Sequence, residues 1–262
     1  STMHIASAWC SKTFRWSHCL WRDDSLAENH YLCRMPPKIS FQNFSAICGI
    51  VGCCMMLVCV WAASVPYTGM YDETYSPINH YISELGDRRY SEWAALFNVG
   101  LMLSSSLLLV FSIGFTRQFQ GWQRIVIGLL GLSTSLSCFL VGAFPVDNLR
   151  PHILVAMVFF HSALVLVFLN TAITIFTKAP VLPKWTISLG FVTALAFAAF
   201  VISPSDMLRE WVKDPKHFVR PDVWVQPILE WACFYSIILW LLVAAFLMLR
   251  KKPDPAKATA IA

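Results

Sequence analysis

The residues best equipped for chemistry gather in one short stretch, Ser76-Pro77-Ile78-Asn79-His80-Tyr81-Ile82-Ser83-Glu84-Leu85-Gly86-Asp87. Read as a helix, it places His80 and Glu84 at i and i+4 on one face. Ser83 lies beside them, and Gly86 is a natural stop for such a turn. A second polar knot, Phe144-Pro145-Val146-Asp147-Asn148-Leu149-Arg150-Pro151-His152, adds Asp147 and His152; Glu230 is a third candidate. His80, Glu84, Asp147, His152 and Glu230 together are a donor set suited to a divalent metal. His80, Glu84, Asp147 and His152 are also able to act as general acids and bases on a lipid headgroup. A plainer reading has these groups pairing with each other and with Arg88 or Arg150 to hold loops onto a helix bundle. The residue types alone leave these readings open.

Other chemistries lack their signatures. The chain has no GxSxG, GxxxxGK[ST], HExxH or Gly-rich dinucleotide fingerprint. No paired broken helices mark a transporter site, and no relay of buried ionisable residues crosses the apolar runs. His161 lies nine residues after His152, about 13 Å deeper and on the opposite face of a helix. It is therefore expected to be a hydrogen-bonded packing residue, apart from the polar knot.

The elements that must position these groups are membrane helices. Of 262 residues, 57% are hydrophobic and 13% charged, against about 25% charged in soluble domains. Apolar runs at 44–65, 93–115, 125–144, 153–176, 185–202 and 228–249 each approach the ~20 residues that cross a bilayer. Charges are nearly absent inside them, as spanning requires, and none shows the alternation of barrel strands. The expectation is an all-α, polytopic bundle of six transmembrane helices occupying residues 35–252, followed by a cytoplasmic tail at 253–262. In that arrangement the His, Glu and Asp candidates fall at one membrane boundary.

The net charge of +5 fits topology better than nucleic-acid binding. Lys38, Arg117, Arg124, Lys178, Lys184, Arg250, Lys251 and Lys252 fall on one side, with no acid in the loops that hold Arg117, Arg124, Lys178 and Lys184. The positive-inside rule then places both termini in the cytoplasm. Trp93, Trp122, Trp185, Trp224 and Trp231 stand at or near the run ends, as an interfacial aromatic belt would. The loop at 204–226 mixes apolar and charged residues and is expected to lie on the outer surface, partly as a short amphipathic helix. Gly128, Gly131 and Gly142 suit close helix approach; Asn98, Asn170 and the run Ser104 to Ser106 suit interhelical hydrogen bonds. The first 34 residues, with Cys10, His18, Cys19, His30 and Cys33 in no common zinc spacing, read as a disordered leader before a functional start at Met35.

The segment from His80 to Gly86, then Leu96-Phe97-Asn98-Val99-Gly100, Val141-Gly142-Ala143-Phe144-Pro145-Val146-Asp147 and His152, resembles a bacterial and archaeal membrane family known as domain of unknown function 998. Ile228-Leu229-Glu230 resembles its Gly-Leu-x-Glu-Arg element, with Trp231 standing where the family has Arg. The resemblance runs from about Ser45 to Leu249. It implies kinship with the Frag/DRAM/Sfk type of six-helix membrane proteins, which are associated with lipid remodelling, lipid-kinase regulation and autophagy.

The functional expectation is a multi-pass protein of a prokaryotic inner membrane. It would bind lipid headgroups or a membrane protein partner through an outer His/Glu/Asp layer. The alternatives are a metal-dependent intramembrane enzyme acting on lipid and a small-solute transporter.

Overall fold

The computed structural model describes residues 39–214 and 217–251. The leader with its cysteines and histidines and the tail at 253–262 lie outside these residues. Among the described residues the structure is helical, without strands. The elements are α1 (Phe41–Ser64), α2 (Ala94–Thr116), α3 (Gly121–Ala143), α4 (Leu149–Phe176), α5 (Thr186–Ile202), α6 (Asp206–Lys213) and α7 (Val225–Arg250).

Five of these, α1 to α4 and α7, are long and apolar enough to cross a membrane. The fifth expected span, α5, has 17 residues. Beyond a 51° bend it continues as α6, and the bent pair counted as one span brings the number to six. The chain is thus a multi-pass membrane protein with a helical bundle, as its runs of apolar residues require: in hydrocarbon every backbone N–H and C=O must be satisfied within the chain, which a helix does locally.

Chain neighbours pack together from α1 through α5, α5 packs on α7, and α7 returns to α1, so the long helices close into a ring. Small residues set its spacing. A Cβ added to Gly128 would meet Thr116, and one added to Gly131 would collide with Ser112, so α3 lies close on α2. Two serines of α2 also find partners within their own helix. Ser105 and Ser106 donate back to the Leu101 and Met102 carbonyls of their own helix, a bond that satisfies a hydroxyl without a neighbouring helix.

Connections at the two ends are sorted cleanly. At one end, Gln42 at the start of α1 donates to the Met248 and Lys251 carbonyls at the close of α7, at 2.8 and 2.9 Å. Gln118, after α2, reaches Gln42 at 3.3 Å. At the other end lie the loop between α1 and α2, the short turn between α3 and α4, and the segment carrying α6. Loops one, three and five therefore share a face, which is the face that holds the candidate residues.

Candidate polar site at one end of the bundle

The α1–α2 loop has no long helix. Pro77 interrupts it, Tyr81 is extended (φ −67°, ψ 146°), and a single 3-10 turn follows at Ile82–Gly86. His80 therefore precedes the turn that contains Glu84, and the expected i, i+4 face does not form. The reason is local: the Glu84 side chain reaches back to accept the Tyr81 N–H at 2.8 Å, a capping arrangement that starts a new turn rather than extending an old one. The turn stops at Gly86, and there Asn98 of α2 donates to the Gly86 carbonyl at 2.9 Å. A Cβ at residue 86 would lie 2.5 Å from Asn98 Oδ1 and 3.0 Å from the Phe97 ring, so glycine is what lets the turn seat on α2.

The centre of the layer is a residue outside the sequence-derived set. Arg220, in the segment between α6 and α7, has its side chain 5% exposed. Its Nη2 and Nη1 donate to Glu84 at 2.7 and 3.2 Å, its Nε donates to Glu73 at 2.9 Å, and Nη1 also donates to the Asn79 carbonyl at 2.7 Å. Such a fork matches carboxylate geometry and is what distinguishes arginine from lysine at a buried site. Burial works against the charge on Arg220, and the Glu84 and Glu73 carboxylates outweigh it, leaving the guanidinium pKa above its ordinary value. No local motif announces Arg220. Its one signal is membership in a loop that must return to the same boundary as Glu84.

Glu84 is held by donors from both loops. It accepts the Tyr81 N–H, two Arg220 N–H groups and the Tyr67 hydroxyl, the last at 3.2 Å. Those four donors occupy the roughly four lone-pair positions of a carboxylate. His80, 1% exposed, brings Nε2 to 3.2 Å from Glu73 Oε1. Its Nδ1 stands 2.8 Å from Asn79 Oδ1 and 3.2 Å from the Ser76 N–H. Rings enclose it: Tyr67 edge-on at 5.5 Å and Tyr75 tilted at 5.2 Å. Burial, followed by the nearby carboxylates, raises the phenol pKa of Tyr67, Tyr75 and Tyr81, which keeps them hydrogen-bond donors.

Glu230 joins this layer from α7, accepting the Ile82 N–H at 2.6 Å. Further bonds bind the loops across the same seam: Tyr81 hydroxyl to Gln226 at 2.6 Å, Trp224 N–H to the Ile78 carbonyl at 2.9 Å, and Asn79 to the Pro221 carbonyl at 3.2 Å. Trp224 and Trp231 are 3% and 4% exposed. They form the floor of this layer rather than part of an interfacial belt, whereas Trp93, Trp122 and Trp185 are exposed at helix ends.

Asp147 and His152 do a separate job. Asp147 Oδ2 accepts from Arg88 Nε and Nη2 at 3.0 and 2.6 Å, which ties loop three to loop one. His152 Nδ1 stands 2.8 Å from the Phe144 carbonyl. A carbonyl only accepts, so Nδ1 carries the proton and pins the first turn of α4 to the end of α3. Among the described residues, no three His, Cys, Asp or Glu side chains are grouped to hold a metal ion. The five candidates thus divide: His80, Glu84 and Glu230 in the Arg220 layer, and Asp147 and His152 beside it.

A small cleft of about 80 Å³ opens onto this layer, lined by Tyr67, Met70, Glu84, Asp87, Arg89, Tyr90 and Trp211. Arg89 forks onto Asp87 with bonds of 3.0 and 2.7 Å, yet its side chain remains 56% exposed. Trp211 belongs to α6 and stacks on Tyr81, with ring centres 6.5 Å apart and planes 13° apart. The expected amphipathic helix is this α6, whose Leu208 and Trp211 pack inward.

A family model described as a protein of unknown function, DUF998, matches residues 51–247. The chain belongs to the DUF998 family. The matched span takes in the bulk of the bundle and all five candidate residues, and in this DUF998 member it also takes in Arg220. No curated protein and no solved structure matches the chain.

Proposed function

We propose that the polar layer recognises the headgroup of a membrane lipid and performs no reaction on it. The saturation of Glu84 carries this reading. A general base must keep a lone pair free for the proton it removes, and Glu84 has four donors already in place. The layer shapes a surface, and the cleft beside it is the feature left open. Its volume of about 80 Å³ is well below the ~300–1,000 Å³ of pockets that enclose whole small molecules. It suits the tip of a larger molecule anchored elsewhere, with the Arg89 guanidinium at the rim for a phosphate and Trp211 as a wall.

The same reading sets orientation. Arg117, Arg124, Lys178, Lys184 and Arg250 cluster at the opposite end of the bundle, so we place that end in the cytoplasm and the polar layer at the outer boundary of a cell membrane. The resemblance to the Frag/DRAM/Sfk type supports a role with lipid.

The test is native mass spectrometry of the detergent-purified protein titrated with defined phospholipids. Arg89→Ala and Trp211→Ala are expected to weaken retention of the preferred lipid by about tenfold each, the scale of one charge-assisted hydrogen bond. Equal retention by both variants and the wild-type protein would remove the proposal. Turnover of the added lipid would replace it with the enzymatic alternative.

A further inference from the structure

The groups that line the cleft differ in what they have left to offer a ligand. Arg89 uses Nε and Nη2 on Asp87, and among the described residues its Nη1 makes no bond. The guanidinium lies over the Tyr90 ring, 5.1 Å from its centre, which holds the free edge at the rim. Asp87 is buried. Its Oδ1 accepts the Arg89 backbone N–H and Nε–H, whereas Oδ2 accepts only from Nη2. A carboxylate takes roughly four donors, so Oδ2 keeps an acceptor position. Glu84 keeps none, because its four donors are already in place.

Charge narrows what fits. In this layer the carboxylates of Glu73, Glu84 and Asp87 face the guanidiniums of Arg220 and Arg89. The His80 imidazole beside Glu73 brings at most balance. A headgroup with net negative charge therefore adds a charge that nothing offsets, at a partly enclosed boundary where water screens it less. A headgroup that carries a cation a short reach from its phosphate adds none. Tyr67 and Trp211 at the cleft suit that cation, since a ring face is negative. The kind of cation follows from Asp87. A primary ammonium has hydrogens to donate to the open position on Oδ2, and a trimethylammonium has none. The volume of about 80 Å³ also favours the smaller group.

We propose that the cleft selects a zwitterionic headgroup of the ethanolamine kind, an inference that rests on the headgroup reading above. The primary ammonium donates to Asp87 Oδ2 beside Tyr67 and Trp211, and the phosphate of the same headgroup meets Arg89 Nη1 at the rim. Arg89 has two tasks: it steadies Asp87 and it binds the phosphate common to all phospholipids. Asp87 is the residue that tells one headgroup from another.

Native mass spectrometry of the full chain in detergent tests this with lipids that share acyl chains and differ only in headgroup. They are phosphatidylethanolamine, its mono-, di- and trimethylated derivatives, and phosphatidylglycerol. Phosphatidylethanolamine should be retained about tenfold over the trimethylated lipid and over phosphatidylglycerol, the scale of one charge-assisted hydrogen bond. The main drop along the methylated series should come at the third methyl, where the last N–H is lost. Asp87→Asn should remove most of the preference, and Arg89→Ala should lower retention of every lipid while keeping their order. Equal retention of all these lipids by the wild-type protein, with every one weakened by Arg89→Ala, would overturn the ammonium inference and leave the headgroup reading standing. A preference for phosphatidylglycerol would overturn it too. Retention that Arg89→Ala alters for none of them would remove both.

Discussion

The two ends of this bundle are closed by different physics. At the end shared by the start of α1 and the close of α7, neutral amides do the work: Gln42 donates to two carbonyls and Gln118 to Gln42. The cations there, Arg117, Arg124, Lys178 and Lys184, stand out in the open. At the other end a guanidinium, two carboxylates and an imidazole are enclosed by tyrosines, and loops one and five are cross-tied through them. Enclosing an ion pair is a poor way to gain stability, because desolvation offsets most of the attraction and apolar replacements often do as well. A protein that needed only a closed bundle could have used amides twice. The charged end is therefore better understood as a shaped surface than as a clamp, and the difference between the ends can be measured.

Arg220→Ala is the strongest way to break the contrast. It strands Glu73 and Glu84 without their cation, and a loss of about 3–5 kcal/mol is expected, read as a lower melting temperature in detergent. Arg220→Lys should recover only part of it, since an ammonium cannot reproduce the fork. A loss no larger than that of an amide at the opposite end would mean that the two ends do not differ as described. Gly86→Ala comes next. The added methyl has no room against Asn98 and Phe97, and about 1–3 kcal/mol of overpacking strain is expected. Hydrogen exchange should show faster opening of the 82–86 turn than of α2.

Gln42→Ala probes the amide end. It removes two bonds to carbonyls, one of them exposed, so about 0.5–1.5 kcal/mol is expected by chemical denaturation. Arg88→Ala should be the mildest. The Arg88 side chain is 62% exposed, and water screens such pairs so that they add little to stability. A loss above that of Gln42→Ala would show that the Arg88–Asp147 tie belongs to the enclosed layer after all.

The fold was readable in the sequence because hydrocarbon is a strict solvent. Runs of about 20 apolar residues have few options in it. The one span that strays, α5, does so because Ser203-Pro204 ends it early: proline removes a backbone donor and pushes the preceding residue out of the helical region. Inside the site, the types of residue were legible and their partners were not. His80, Glu84 and Glu230 do meet in one layer. The assumption of a continuous helix failed at Tyr81, where side-chain capping by Glu84 overrode local spacing. Nothing local marks Arg220, because its role depends on a partner 136 positions away along the chain, and a lone arginine beside Pro221 carries no pattern. Trp224 and Trp231 are buried rather than at the membrane surface for a related reason: in sequence, a tryptophan at a helix end looks the same whether a loop folds over it or leaves it in the headgroups.

The brevity of α5 has a consequence for the surrounding bilayer. Its 17 residues extend about 26 Å, a few ångströms less than an average hydrocarbon core. Lipid next to α5 must therefore thin, or the bend into α6 must flatten to lengthen the crossing. Because α6 carries Trp211 at the wall of the cleft, any flattening of that bend would move this wall.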